Sequence, residues 1–230
     1  MKNFFESVTT CDIKDDGSIV TSADIEISSF VSELLKGEHF FSEEEEGSLD
    51  FPSYILDPID GTREFSKGSG ECVTSLAFMA SSTISDKGSW GWLYAPLNGL
   101  EIDSNDSFVA VQARDEDSSL LGMVSRTDHA KGLFDDKAFK APGIRFVERG
   151  SIAFKLGLLS VSACDFVFSA TPKNIWDIAA GTVILDKKGY KLFNRLGEVR
   201  LLDAERVDGP LLWCKEKNYT RLKYLLEVKR

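Results

Sequence analysis

The run Tyr54-Ile55-Leu56-Asp57-Pro58-Ile59-Asp60-Gly61-Thr62 constrains this chain more than any other stretch. An apolar strand leads straight into two aspartates three residues apart, so the fold must set the strand's exit where carboxylates are tolerated. Pro58 fixes φ at its own position, and Gly61 permits a tight turn or a close backbone approach to a ligand. If the chain turns there, Asp57 and Asp60 converge on one point. Two carboxylates packed together in a partly buried place repel unless one is protonated or a cation sits between them. Oxygen ligands of this kind suit Mg²⁺, Mn²⁺ or Ca²⁺ rather than zinc. Ordinary turn chemistry would also account for Asp, Pro and Gly together. Two further segments favour the cation. Ser42-Glu43-Glu44 also follows an apolar run, His39-Phe40-Phe41, and Trp176-Asp177 opens a helix whose N-terminus can face an anion or metal-bound oxygens.

The charge balance points the same way. Of 230 residues, 27 are basic and 37 acidic, a formal net charge of −10. So acidic a body is a poor non-specific ligand for a nucleic acid polymer or an anionic membrane, and a phosphorylated substrate would need bound cations to attract it. No run approaches the ~18 apolar residues of a membrane span, and the N-terminus lacks the apolar core of a secretory signal. Cys11, Cys72, Cys164 and Cys214 lie far apart with no C-x-x-C pair, which favours reduced, mostly buried thiols and a cytoplasmic location.

Thr21 to Leu35 reads as a helix capped by Thr21 and ended by Gly37, with Ile27, Phe30, Val31, Leu34 and Leu35 as its apolar stripe. Short strands are expected at His39–Phe41, Tyr54–Leu56, Val73–Ala80, Trp90–Tyr94 and Phe108–Ala113. The second half alternates: strands at Gly122–Val124, Arg145–Val147 and Asp165–Phe168, and helices at Ala153–Ser160, from about Ile175 to Asp186 behind an Asn174 cap, and from a Thr220 cap through Val228. A run of strands followed by alternating strands and helices predicts a layered α/β (α+β) protein, with sub-domains at 1–115 and 116–230.

At this point the chain resembles a known family. Asp57-Pro58-Ile59-Asp60-Gly61-Thr62 looks like one signature of the inositol monophosphatase superfamily of metal-dependent, lithium-sensitive phosphatases, and Trp176-Asp177-Ile178-Ala179-Ala180-Gly181 resembles its second. Ser42-Glu43-Glu44 matches the usual upstream glutamate, and the segment from Lys14 to Asp24 resembles the stretch before it. The resemblance implies an αβαβα sandwich and two or three Mg²⁺ ions, with Mn²⁺ as a substitute and Li⁺ and Ca²⁺ inhibitory. It implies that Glu43, Asp57, Asp60, Asp177 and the Ile59 carbonyl bind metal. Gly61 and Thr62 would offer N–H groups to the phosphate, with the Thr62 hydroxyl orienting the attacking water. Asp16 matches an aspartate that shares a further metal and that water. The implied reaction is direct attack by a metal-activated water, with no covalent phosphoenzyme. Glu45 and Glu46 read as a solvated acidic face, and Glu44 as a weaker neighbour of the ligands.

Three details resemble the 3′(2′),5′-bisphosphate nucleotidase branch: Thr62-Arg63-Glu64-Phe65, Asn174-Ile175-Trp176-Asp177, and Val124-Ser125-Arg126-Thr127-Asp128-His129. The last implies that Ser125, Arg126 and His129 lie near a nucleotide, although His129 also suits an exposed helix start. Gly150-Ser151-Ile152-Ala153 resembles the loop on the leaving-group side, with Lys155 as its displaced lysine. Phe168-Ser169 stands where that branch carries an arginine, so the second phosphate site would depend on Lys155 or Lys173, both also readable as solvated surface lysines. Thirteen residues precede Lys14, fewer than relatives carry, which implies altered dimer contacts or a less enclosed metal site. The expected substrate is adenosine 3′,5′-bisphosphate, with inositol monophosphate or another sugar phosphate as the alternative, acted on by a monomer or homodimer. A non-catalytic binding protein would be expected to lack one of the carboxylates, and this chain retains them all.

Overall fold

Thr21 closes a short strand and caps the first helix of the described residues. In the structure, a computed structural model, residues 11–13, 19–45, 47–105, 119–133 and 141–227 are described. Strand β1 (Cys11–Ile13) pairs antiparallel with β2 (Ile19–Thr21), and helix α1 (Ser22–Leu34) follows. The Thr21 hydroxyl accepts from the Asp24 N–H at 3.4 Å while Asp24 Oδ2 accepts from the Thr21 N–H at 2.8 Å, a reciprocal capping box. The cap is where the sequence places it; the buried face is not. Phe30 is 63% exposed and Leu34 69%, whereas Ala23, Asp24 and Ser28 are buried. The polar face is held inward by Ser28 Oγ, which lies 3.0 Å from Ser42 Oγ and donates to Glu45 Oε1, and by Ser32 Oγ, which donates to Glu45 Oε2. Glu45 is thus tied to α1 rather than forming a solvated face, and Glu46 lies outside the described residues.

Five strands make the first large sheet. Strand β3 (Phe40–Ser42) runs parallel to β4 (Ser53–Asp60). After the one-turn helix α2 (Thr62–Ser66), strands β5 (Val73–Met79), β6 (Trp90–Ala95) and β7 (Leu100–Asp103) continue antiparallel in the order β3-β4-β5-β6-β7. The strand expected at Phe108–Ala113 and the sub-domain boundary expected near 115 lie outside the described residues.

The second half alternates, as its pattern implies. It runs β8 (Leu120–Ser125), α3 (Arg126–Ala130), β9 (Ile144–Arg149), α4 (Ile152–Ser160), β10 (Phe166–Ser169), β11 (Lys173–Asn174) and α5 (Ile175–Lys187). Then come β12 (Tyr190–Asn194), β13 (Gly197–Glu198), β14 (Arg206–Val207), β15 (Leu211–Lys215) and α6 (Glu216–Leu222), with a closing 3₁₀ turn at Lys223–Glu227. Six of these strands form the sheet β13-β12-β15-β10-β8-β9, and β11 pairs with β14. The last described helix begins at Glu216 after a Lys215 cap, five residues before the cap expected at Thr220, because β15 runs directly into it.

Helices α4 and α5 fill the space between the sheets. Helix α5 packs on β4, β5 and β6 on one side and on β12 on the other, which explains why its interior is apolar nearly all round. A Cβ at Gly91 of β6 would lie 2.4 Å from the Ala180 carbonyl oxygen, so this close approach requires glycine. Helix α1 packs against β4 and α6 against β15, completing the αβαβα order of layers. No helix among the described residues is long and apolar enough to cross a membrane. Cys72, Cys164 and Cys214 are buried free thiols, and Cys11 is exposed.

Candidate active site

Residues three apart on a regular strand point to opposite faces. Asp57 and Asp60 escape that rule because three steps on β4, from Asp57 to Asp60, answer only two on β5, from Ser75 to Val73. The extra residue is a β-bulge. It turns both carboxylates toward the N-terminus of α5, where Asp177 stands in the first turn. Carboxylate oxygens of Asp57, Asp60 and Asp177 all lie within 4.8 Å of one another.

That proximity is costly without a cation. Asp57 is 1% exposed, and its Oδ1 is buried with no hydrogen-bond partner. Burial, reinforced by Glu43, Asp60, Asp177 and Asp24, holds the Asp57 carboxyl well above the usual carboxylate range. Asp177 is pushed up to about 7 by burial, then by Asp60 and Glu43, against the opposing pull of Lys173 and the Asn174 N–H. An all-oxygen donor set whose charges destabilise one another fits a hard divalent cation. Glu43, at the end of β3, belongs to this electrostatic cluster through its effect on both aspartates. Asp16 lies outside the described residues.

The second half of the chain orients Asp60. Its Oδ2 accepts from Ser151 Oγ at 2.5 Å and also from the Ala153 N–H. Ser151 caps α4 at the same time, accepting from the Phe154 N–H at 2.9 Å. Lys155 is not a surface lysine: it is 2% exposed, and its ammonium donates to the carbonyls of Gly150 and Ser151. Burial lowers its pKa to about 8, despite the nearby Asp60 carboxylate. Gly61 adopts φ +93° as the cap of α2, and a Cβ there would lie 2.9 Å from the Glu71 carbonyl oxygen and 3.0 Å from Ser151 Cβ. The Thr62 hydroxyl donates to the Ile59 carbonyl at 3.0 Å, placing both groups beside the aspartates.

A cavity of about 240 Å³ opens from Asp60 and Asp177. Among the expected substrate residues, Gly61, Ser125, Gly150, Ser151 and Lys155 line it. Thr62, Arg126 and His129 do not. Arg126 is drawn to Glu71 at 2.7 Å and Glu64 at 3.6 Å, and His129 to Glu148. Their neighbour Asp128 lines the cavity instead, because Ser125 caps α3 and the first turn carries residue 128 inward. Sequence reasoning also passed over Asp24, whose charge reaches Asp57, and Glu71, whose Oε2 accepts from the Gly150 N–H at 2.7 Å. The Thr-x-x-Asp cap was a usable signal for Asp24; none marked Glu71, whose partners lie 55 and 79 positions away.

The sequence profile of the inositol monophosphatase family matches residues 2–223. The chain belongs to the inositol monophosphatase family. Members are metal-dependent phosphatases, and this chain is a phosphatase of that kind. It is 22% identical over 215 residues to the 3′(2′),5′-bisphosphate nucleotidase CysQ of Aggregatibacter actinomycetemcomitans, covering 84% of this chain and 78% of the relative. It is 28% identical over 174 residues to inositol monophosphatase 3 of Solanum lycopersicum, covering 69% of this chain and 63% of that one. The Thermotoga maritima IMPase superposes with a TM-score of 0.76 at 18% identity, over 98% of this chain and 90% of the other. The αβαβα fold is therefore that of the family.

Proposed function

We propose that this inositol monophosphatase family member hydrolyses a small phosphomonoester by direct attack of water. Glu43, Asp57, Asp60, Asp177 and the Ile59 carbonyl would hold two or three Mg²⁺ ions. The observation that carries this reading is the convergence of Asp57, Asp60 and Asp177 within 4.8 Å around a buried, unpartnered Asp57 oxygen. Bound ions would supply charge neutralisation and acidify the water used as nucleophile. The chain's own groups do the rest. Gly61 and Thr62 offer backbone N–H groups to the phosphate, and the Thr62 hydroxyl, anchored on the Ile59 carbonyl, orients the water. Asp16 is assigned a share in that task. Ser151 and Ala153 fix Asp60, and Lys155 holds the Gly150–Ser151 backbone in place. Cys72 is no competing nucleophile: burial, with Asp60 next, pushes its thiol up to about 12.

Two alcohols compete as the leaving group. The Asn174-Ile175-Trp176-Asp177 and Thr62-Arg63-Glu64-Phe65 motifs, with the CysQ relative, support adenosine 3′,5′-bisphosphate. The cavity better supports inositol monophosphate or another sugar phosphate, since Arg126 and His129 are engaged by acids and Ser169 occupies the place of the expected arginine. The reading includes a monomer or homodimer in the cytoplasm. Phosphate release from adenosine 3′,5′-bisphosphate, inositol 1-phosphate and fructose 1,6-bisphosphate is to be compared with Mg²⁺, with Mg²⁺ plus Li⁺ or Ca²⁺, and with EDTA. Release that requires Mg²⁺ and is suppressed by Li⁺ and Ca²⁺ is expected; equal rates in every condition would refute the metal mechanism.

A further inference from the structure

The wall of the cavity away from the carboxylate cluster has a charge pattern that the phosphatase chemistry does not use. Asp128 is 7% exposed there, on the first turn of α3. Among the described residues, one side-chain donor reaches its carboxylate, the Thr171 hydroxyl at a long 3.4 Å. A carboxylate offers about four acceptor sites, so most of its capacity remains for a ligand. Glu64 shares the same wall. The hydroxyls of Ser125, Thr127 and Ser169 fill the space between them.

Two lysines, Lys155 and Lys173, line the same cavity, and Lys155 lies close enough to Asp128 and Glu64 to feel both charges. Lys155 donates to the Gly150 and Ser151 carbonyls, and Lys173 favours the charged form of Asp177. Arg126 and His129, one or two residues from Asp128, are held by Glu71, Glu64 and Glu148. Glu64 is itself balanced by Arg126, so a second phosphate directed at this wall would meet one confined carboxylate, that of Asp128. Like charges so placed are strongly unfavourable. A neutral polyhydroxy alcohol would instead donate its hydroxyls to Asp128, for which a carboxylate with free acceptor sites is well suited.

We propose that Asp128 determines specificity, accepting hydroxyls of a neutral cyclitol or sugar leaving group and rejecting one that carries a second phosphate. This rests on the phosphomonoesterase reading above. It is a case of selecting a ligand by repelling its competitor as well as by binding it.

The test is the ratio of kcat/KM for adenosine 3′,5′-bisphosphate to that for inositol 1-phosphate, in Mg²⁺, for the parent chain, the isosteric Asp128→Asn and, as a second variant, Asp128→Ser. The parent is expected to favour inositol 1-phosphate, and both variants to raise the ratio by about tenfold or more. A parent that favours the bisphosphate, or a ratio unchanged in both variants, overturns the role of Asp128 while leaving the phosphatase reading intact. A parent inactive on both substrates overturns the two together.

Discussion

The Ser151 hydroxyl bonds Asp60 Oδ2 at 2.5 Å across 91 positions of sequence, and the same oxygen caps helix α4. One atom thus joins the start of a helix in the middle layer to a carboxylate of the first sheet. Ser151→Ala removes both bonds. We expect a loss of about 1 kcal/mol in stability from the cap. Activity should fall by roughly 10–100-fold, as for other groups that orient a metal ligand. Thermal melts and a Mg²⁺ titration of the rate would separate the two effects.

Asp57→Asn removes a carboxyl whose ionisation is opposed by burial and by its acidic neighbours. The variant should melt higher than the parent in EDTA, by about 2–4 °C for each kcal/mol of repulsion relieved. Its activity should drop beyond the roughly 10–100-fold range of residues that only orient ligands. A variant as active as the parent would remove Asp57 from the metal site.

The raised carboxyls make metal-free stability depend on pH. Asp177 binds its proton up to about pH 7 when folded, against an ordinary value of 3.8. Between those values the folded state holds more protons than the unfolded one, so its stability falls as pH rises. Asp57 acts in the same direction. Melts in EDTA should therefore fall from pH 5 toward pH 7, and the stabilisation by Mg²⁺ should grow over the same interval. A metal-free melting temperature that rises across that window would contradict the assignment.

Gly61→Ala should be among the most damaging small substitutions. The position is left-handed, and the added methyl carbon would meet the Glu71 carbonyl oxygen at 2.9 Å. The expected cost is about 2 kcal/mol or more, with loss of turnover. Urea unfolding would measure the first and phosphate release the second.

Arg126→Ala tests a residue that the sequence places on the substrate and the structure places on Glu71. Its side chain is 45% exposed, so the ion pair should contribute only about 0–1 kcal/mol. KM should change by less than about threefold; a tenfold rise would return Arg126 to the substrate.

The parts of the fold legible in the sequence were those governed by near neighbours. Thr21 and Asp24 announce a cap because they bond each other, and Asn174 to Asp177 announces the start of α5 in the same way. The outward turn of Phe30 and Leu34 was hidden, since the partners that draw Ser28 and Ser32 inward, Ser42 and Glu45, lie on another segment. The buried strand β15 went unread because the short continuous apolar run Leu211-Leu212-Trp213-Cys214 suits a buried helix as well as a strand. At the site, the aspartates were visible as a motif, while the engagement of Arg126 depends on acids far along the chain, and nothing in the sequence marks that Lys155 turns back onto the nearby Gly150 and Ser151 carbonyls.

The extra residue in β4 works as a phase shift in a two-beat pattern. Deleting either Pro58 or Ile59 would restore the regular beat and send Asp57 and Asp60 to the same side by ordinary alternation, but one position nearer to each other and with their spacing to Asp177 altered. Adding a residue there would set the pair out of step in another way. Within these four positions, length itself is a chemical specification: a frame change could leave every acid in the chain and still dismantle the grip on the ion.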